Sequence, residues 1–290
     1  MSSVTSNPSV AAPAARLPSG VVSIEPPRGL FDLNLGELWA YRELLYFFVW
    51  RDVKVRYKQT LIGVLWVVIQ PLMTMGVFTI FFGRLAKLPS QGLPYPVFYF
   101  AALVPWAYFA SALSSCTNIV VSNQHVITKV YFPRLVLPLA AVCSPLIDFG
   151  VGLIVMIALT LSFGIRPPAT VLLLPVLIVL ALFTALAVGL WTSALNALYR
   201  DVASIIPFTV QFWMVASPVV YPSSLVPQPW RGLYGINPMV SVIDGFRWAL
   251  TGHGQPPGPI MLVSAAMVVV LLIGGLIFFQ RMEGTVTDRV

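Results

Sequence analysis

Residues 61–83 read LIGVLWVVIQPLMTMGVFTIFFG, an apolar run of 23 residues without a single charge. As a helix it would be roughly 34 Å long, enough to cross the hydrocarbon layer of a bilayer, which takes about 20 residues. Comparable stretches follow at 95–121, 135–165, 170–197, 202–221 and 259–279, and the only charge inside any of them is Asp148. The composition agrees. Of 290 residues 58% are hydrophobic and 9% charged, with a mean hydropathy of +0.87, whereas soluble domains carry about 25% charged residues. A soluble enzyme, a disordered chain and a secreted module are excluded. The expected fold is an all-α integral membrane protein with six transmembrane helices, which puts both termini on one side.

Basic residues set the orientation, because loops rich in Lys and Arg stay in the cytoplasm. Arg16, Arg28, Arg42, Arg51, Lys54, Arg56 and Lys58 precede the first span, Lys129 and Arg134 follow the second, Arg200 follows the fourth, and Arg281 and Arg289 follow the last. Only Arg84, Lys87, Arg166, Arg231 and Arg247 fall on the opposite side. Both termini are therefore expected in the cytoplasm. The net charge of +7 reads as an orientation signal toward membrane lipids and not as a nucleic-acid surface. Residues 1–34, rich in Pro, Ala and Ser, are expected to form a flexible cytoplasmic tail without a cleavable signal, and 284–290 a second one.

Two regions do not fit a simple span. Over residues 37–58, Leu38, Tyr41, Leu44, Leu45 and Phe48 share one helical face, with Glu43, Arg51, Lys54 and Lys58 on another. That pattern predicts an amphipathic helix lying at the cytoplasmic interface, flawed only by Asp52 and Arg56 on its apolar side. Residues 222–258 are broken by Pro and Gly yet keep Trp230, Tyr234, Met239, Val242, Phe246 and Trp248. Short re-entrant helices at the outer face suit this mixture where protein or a water-filled cavity shields their backbone. No internal repeat relates the two halves.

Chemical motifs are scarce. The chain has no Gly-Lys pair and so no phosphate-cradling loop, His125 and His253 fall in separate loops, and Cys116 and Cys143 sit in apolar stretches as free thiols. No catalytic residue, metal site or cofactor is expected on this chain. Asp148 needs a partner at membrane depth; it serves either a proton or substrate relay or a packing contact. Trp66, Phe78, Phe98, Tyr99, Trp106, Tyr108, Phe109, Phe212 and Trp213 are candidates to line a path, since aromatic faces stack on sugar rings, or else they pack the bundle. Arg51, Lys54, Arg56 and Lys58 bind anionic lipid or hold a pyrophosphate head group through charge-assisted bonds. Two rival classes are an ion-coupled secondary transporter and a membrane enzyme acting on lipid-linked glycans. The first needs more intramembrane ligands than Asp148, and the second has only Asp244 with His253 as a candidate pair.

Several separated segments are similar to one family. Trp50-Arg51-Asp52-Val53-Lys54-Val55-Arg56-Tyr57-Lys58, then Leu61-Ile62-Gly63-Val64-Leu65-Trp66 and Gln70-Pro71, resemble the start of the membrane subunit of ABC-2-type polysaccharide exporters, the O-antigen, capsule and teichoic-acid permeases. Lys129-Val130-Tyr131-Phe132-Pro133-Arg134, Asn196-Ala197-Leu198-Tyr199-Arg200-Asp201-Val202, Asn237-Pro238-Met239 and Phe246-Arg247 extend the likeness over about residues 35–283. The resemblance implies a transporter subunit, not an enzyme. It implies a homodimer enclosing a channel in the bacterial inner membrane, two copies of a separate ATP-binding-cassette ATPase that bind ATP and Mg, and a polyprenyl-pyrophosphate-linked polysaccharide as cargo, with teichoic acid, lipid or drug as alternatives. It also implies that Val126, Ile127, Lys129, Tyr131 and Phe132 form the loop coupled to the ATPase, and that 222–258 holds gate helices.

Overall fold

The computed structural model describes residues 35–58, 64–254, 256 and 258–289; the expected tail over 1–34 and the first residues of the first expected span, 61–63, lie outside them. Among the described residues all regular structure is helical. In chain order the α-helices are α1 (Leu35–Ala40), α2 (Arg42–Lys58), α3 (Val64–Phe78), α4 (Tyr95–Ser122), α5 (Gln124–Ile127), α6 (Val136–Cys143), α7 (Leu146–Ser162), α8 (Leu174–Leu198), α9 (Asp201–Val215), α10 (Gln228–Tyr234), α11 (Pro238–Thr251) and α12 (Pro259–Arg289). A π-helix, Thr79–Leu85, prolongs α3, and short 3-10 turns precede α8 and α10.

Among the described residues five helical segments are long and apolar enough to cross a membrane: Leu65–Leu85, Tyr95–Ser122, Val136–Ser162, Ala169–Leu198 and Pro259–Met282. The fifth expected span, 202–221, is shorter than the sequence suggested. Its helix, α9, has 15 residues, about 22 Å at 1.5 Å per residue, because the chain turns at Ala216 and Ser217 ahead of Pro218. The 135–165 stretch is interrupted at Ser144–Pro145, where α6 gives way to α7; proline removes a backbone donor there. Toward the end, α12 continues through Arg289, past the expected limit at 279.

α4 is the axis of the bundle. It packs against α3, α6, α7, α8, α9 and α11, and it buries Phe98, Tyr99, Phe100, Trp106, Tyr108 and Phe109. In lipid, apolar contact alone does not drive helices together, so close approach and hydrogen bonds must. Gly189 supplies the approach of α8 to α4: a Cβ there would stand 2.6 Å from the Cys116 sulfur. On the far side of α8, Trp191 stacks on Phe278 at 4.9 Å and its indole N–H donates to the Leu271 carbonyl at 3.0 Å, over the small surfaces of Gly274 and Gly275. Cys116 is buried as expected, whereas Cys143 is only half-buried, and both are free.

This packing makes a volume-sensitive test. Gly189→Ala is expected to destabilise the detergent-solubilised protein by about 1–3 kcal/mol, the usual range for overpacking. Cys116→Ala in the same chain should recover part of that loss by removing the clashing sulfur. A melting curve for the two variants and the wild type checks it; an unshifted Gly189→Ala midpoint contradicts the packing.

Candidate functional site

The apolar face expected on residues 37–58 does meet the bundle: Phe48 is buried, and Tyr41, Leu44, Leu45 and Val49 pack against the core. The helix is nonetheless broken at Tyr41 into α1 and α2, and its other side is also greasy, with Trp39, Tyr46, Phe47 and Trp50 exposed. Each of the two flaws in the pattern meets a partner of its own, Asp52 being paired with Arg51. Arg56 sits on the inward side because it forms an ion pair with Asp148 in the first turn of α7, and the Tyr57 hydroxyl donates to the other oxygen of the same carboxylate. Burial, and then the hydrogen bond to Asp148, push the Tyr57 phenol up to about 12, so at neutral pH it keeps its proton as a donor. Asp148 is thus not an isolated buried acid: its side chain is 23% exposed and holds α2 to α7.

Arg51 is committed in the same way. Its guanidinium donates to Asp52 at 2.8 and 3.0 Å and to the Asn123 side-chain carbonyl at 2.8 Å, and it lies 4.9 Å over the Phe48 ring. Asn123 in turn donates back to the Ile119 carbonyl at the end of α4. Of the four basic residues singled out by sequence, Arg51 and Arg56 are therefore structural ties, while Lys54 and Lys58 point outward and are exposed.

The loop after α4 is built on this base. Phe132 is buried, its ring 5.9 Å from that of Phe48, and Val126 and Ile127 pack partly against the core. His125, Thr128, Lys129, Val130 and Tyr131 are exposed. The five expected loop residues consequently split into a rooted set, Val126, Ile127 and Phe132, and a presented set, Lys129 and Tyr131.

The aromatic candidates separate by position. Phe98, Tyr99, Trp106, Tyr108 and Phe109 are buried inside the chain and face no open path within it; Tyr99 and Tyr108 donate to the Val220 and Val142 carbonyls, each at 3.1 Å. Phe78 is half-buried against Tyr99 at 5.2 Å. Trp213 is half-buried as well, its ring 5.1 Å from Phe109. By contrast Trp66 (53%) on α3 and Phe208 and Phe212 (both 78%) on α9 are exposed. Apolar content alone does not distinguish these open faces from the buried one on α4.

At the other end of α4, Arg247 was counted as a loop charge but is fully buried in α11. It donates to Asp244 at 3.2 Å and to the Pro218 carbonyl at 2.8 Å, and stands 3.8 Å over the Phe98 ring. The i,i+3 spacing of Asp244 and Arg247 was the available signal. His253 instead pairs its Nδ1 with the Thr251 carbonyl at 2.8 Å, so Asp244 and His253 have different partners and do not form a pair. Among the described residues no group of three His, Cys, Asp or Glu could hold a metal.

If Asp148 acts as a tether, loss of either partner should cost about 1–3 kcal/mol, less than for a fully buried pair since both groups reach water. The Arg56→Ala, Asp148→Ala double variant should then be no less stable than the worse single one. Thermal unfolding of the four proteins measures this, and additive losses would speak against the pair.

The sequence pattern of the ABC-2 type transporter family matches residues 43–251, which spans α2, the exposed loop and the buried Arg247. The chain is 32% identical over 251 residues to the O-antigen export system permease protein RfbA of Myxococcus xanthus, covering 85% of this chain and 95% of that one. It is 27% identical to the protein of the same name from Klebsiella pneumoniae, covering 86% and 95%. It is 19% identical over 240 residues to the polysialic acid transport protein KpsM of Escherichia coli, covering 82% and 93%. A helical bundle with several apolar membrane-length helices, an ion-paired N-terminal helix and a presented loop, matched over most of its length by O-antigen export permeases, belongs to the ABC-2 type transporter family.

Proposed function

We propose that this chain is the channel-forming membrane subunit of an ATP-driven exporter that carries a polyprenyl-pyrophosphate-linked polysaccharide of the O-antigen type across the bacterial inner membrane. The observation that carries this reading is the near full-length match to O-antigen export permeases. A separate ATPase would bind ATP with its Mg and hydrolyse it, a reading supported by membership of the ABC-2 type transporter family. Two copies of this chain would enclose the conduit, each docked on one ATPase subunit.

In this reading the polypeptide crosses the membrane six times, with the short α9 as the fifth crossing, accommodated by local thinning of the bilayer, and both termini in the cytoplasm. α1 and α2 lie at the cytoplasmic interface. α10 and α11 re-enter from the outer face as gate helices, α11 being shielded by α4, α8 and α12. Trp66, Phe208 and Phe212 are the rings free to face the conduit. Lys54 and Lys58, one helical turn apart beside exposed Trp50, are the cations free to meet a pyrophosphate. Lys129 and Tyr131 present the surface for the ATPase.

Deleting the gene is expected to abolish surface polysaccharide while lipid-linked chains accumulate in the cytoplasmic leaflet; normal surface polymer would overturn the reading. In the reconstituted complex, the Lys54→Glu, Lys58→Glu double variant should lose about tenfold or more in export, as expected from losing charge-assisted bonds, with assembly intact. Lys129→Glu with Tyr131→Ala should instead weaken binding of the ATPase, visible as loss of co-purification.

A further inference from the structure

α9 rests on the core along one side, through Ile206 and the partly buried Val202, Val210, Trp213 and Met214, and is tied by polar side chains at both ends. Along its length only Ile206 is buried, and Ile205, Phe208, Phe212 and Val215 are exposed on one side. Pro207 inside the helix removes one backbone rung. Two asparagine side chains from outside the helix add directional ties to this one-sided packing.

At the α5 end, Asn196 is buried at the close of α8. Its carbonyl oxygen accepts the Ala203 N–H at 3.1 Å, capping an otherwise orphan donor in the first turn of α9. Its amide donates to the Thr117 carbonyl of α4 at 2.9 Å. Thr117 is itself tied across to Thr192 at 2.8 Å. At the opposite end, the Asn237 oxygen accepts the Trp213 indole N–H at 3.0 Å and the Met239 N–H at 3.1 Å, the second bond being the N-cap of α11. The Asn237 amide donates to the Ser217 hydroxyl at 2.9 Å. One carboxamide thus joins the end of α9 to the start of α11, and Arg247 repeats the link through the Pro218 carbonyl.

We infer that Asn196 and Asn237 are positioning residues for transport: they clamp α9 as a strut, about 15 Å between the clamped residues Ala203 and Trp213, that passes axial displacement from the α4–α8 end of the bundle to the outer helix α11. A helix held by lipid-facing apolar contacts would slide or rotate without moving its neighbours. Polar ties at both ends convert a shift at Asn196 into a shift at Asn237, where the gate helix begins. This mechanism rests on the export reading above.

The two clamps can be cut selectively. Asn196→Asp keeps the acceptor for Ala203 but loses the donor to Thr117, and Trp213→Phe removes the indole N–H while leaving Asn237 to cap α11. In the assembled complex, each variant is expected to reduce polymer exported per ATP hydrolysed about fivefold, the factor given by one hydrogen bond of ordinary strength, with basal ATP hydrolysis unchanged. The double variant should match either single one, because a strut cut twice transmits no less than a strut cut once. Multiplying losses, or unchanged export per ATP in both single variants, would overturn the strut. A gene deletion that leaves export intact would instead remove the export reading, which the wild-type control separates from the first two results.

Discussion

Inside hydrocarbon a polar side chain has no water to fall back on, so each one must find a partner within the protein. In this bundle that constraint does more than forbid charges. Several of the polar groups admitted join separate elements: Asp148 to Arg56 and Tyr57, Asn196 to Thr117 and Ala203, Asn237 to Trp213 and Ser217, and Arg247 to Pro218. Lipid competes poorly for such bonds but readily for apolar contacts. The polar ties therefore determine register, while glycines such as Gly189 and buried aromatics fill the space between.

The functional consequence is a division of labour along α4. At its C-terminal end, α2 and the following loop are fastened by Arg51, Asn123, Phe48 and Phe132, so that Lys54, Lys58, Lys129 and Tyr131 are presented on a rigid base. At its N-terminal end, α11 is buried almost throughout and pinned by Arg247. α9 runs between the two ends with its apolar side uncovered, the arrangement expected of an element that changes neighbours during a cycle or meets a second copy.

Several features were legible early because they depend on local chemistry. Long charge-free runs mark spans through the length of the hydrocarbon layer alone, and the permease motifs around Arg51, Lys129, Asn196 and Asn237 are short and contiguous. The role of each residue inside those motifs was not legible. Arg51 and Arg56 look like Lys54 and Lys58 in a string of letters, and only the helix rotation against α6 and α7 separates anchors from free cations. Likewise Phe98 and Phe212 are equally apolar, but one is sealed under Arg247 and the other open.

From the sequence alone came the membrane class, the approximate spans and the likeness to polysaccharide permeases, since each follows from composition, run length or a contiguous motif. Tertiary structure alone decided that α9 stops short, that Asp148 is a tether, that Arg247 is buried and that α4 holds its aromatics inward. The tethering of Asp148 and the burial of Arg247 rest on pairings between residues 92 and 29 positions apart, and no local pattern encodes which distant partner a side chain will meet.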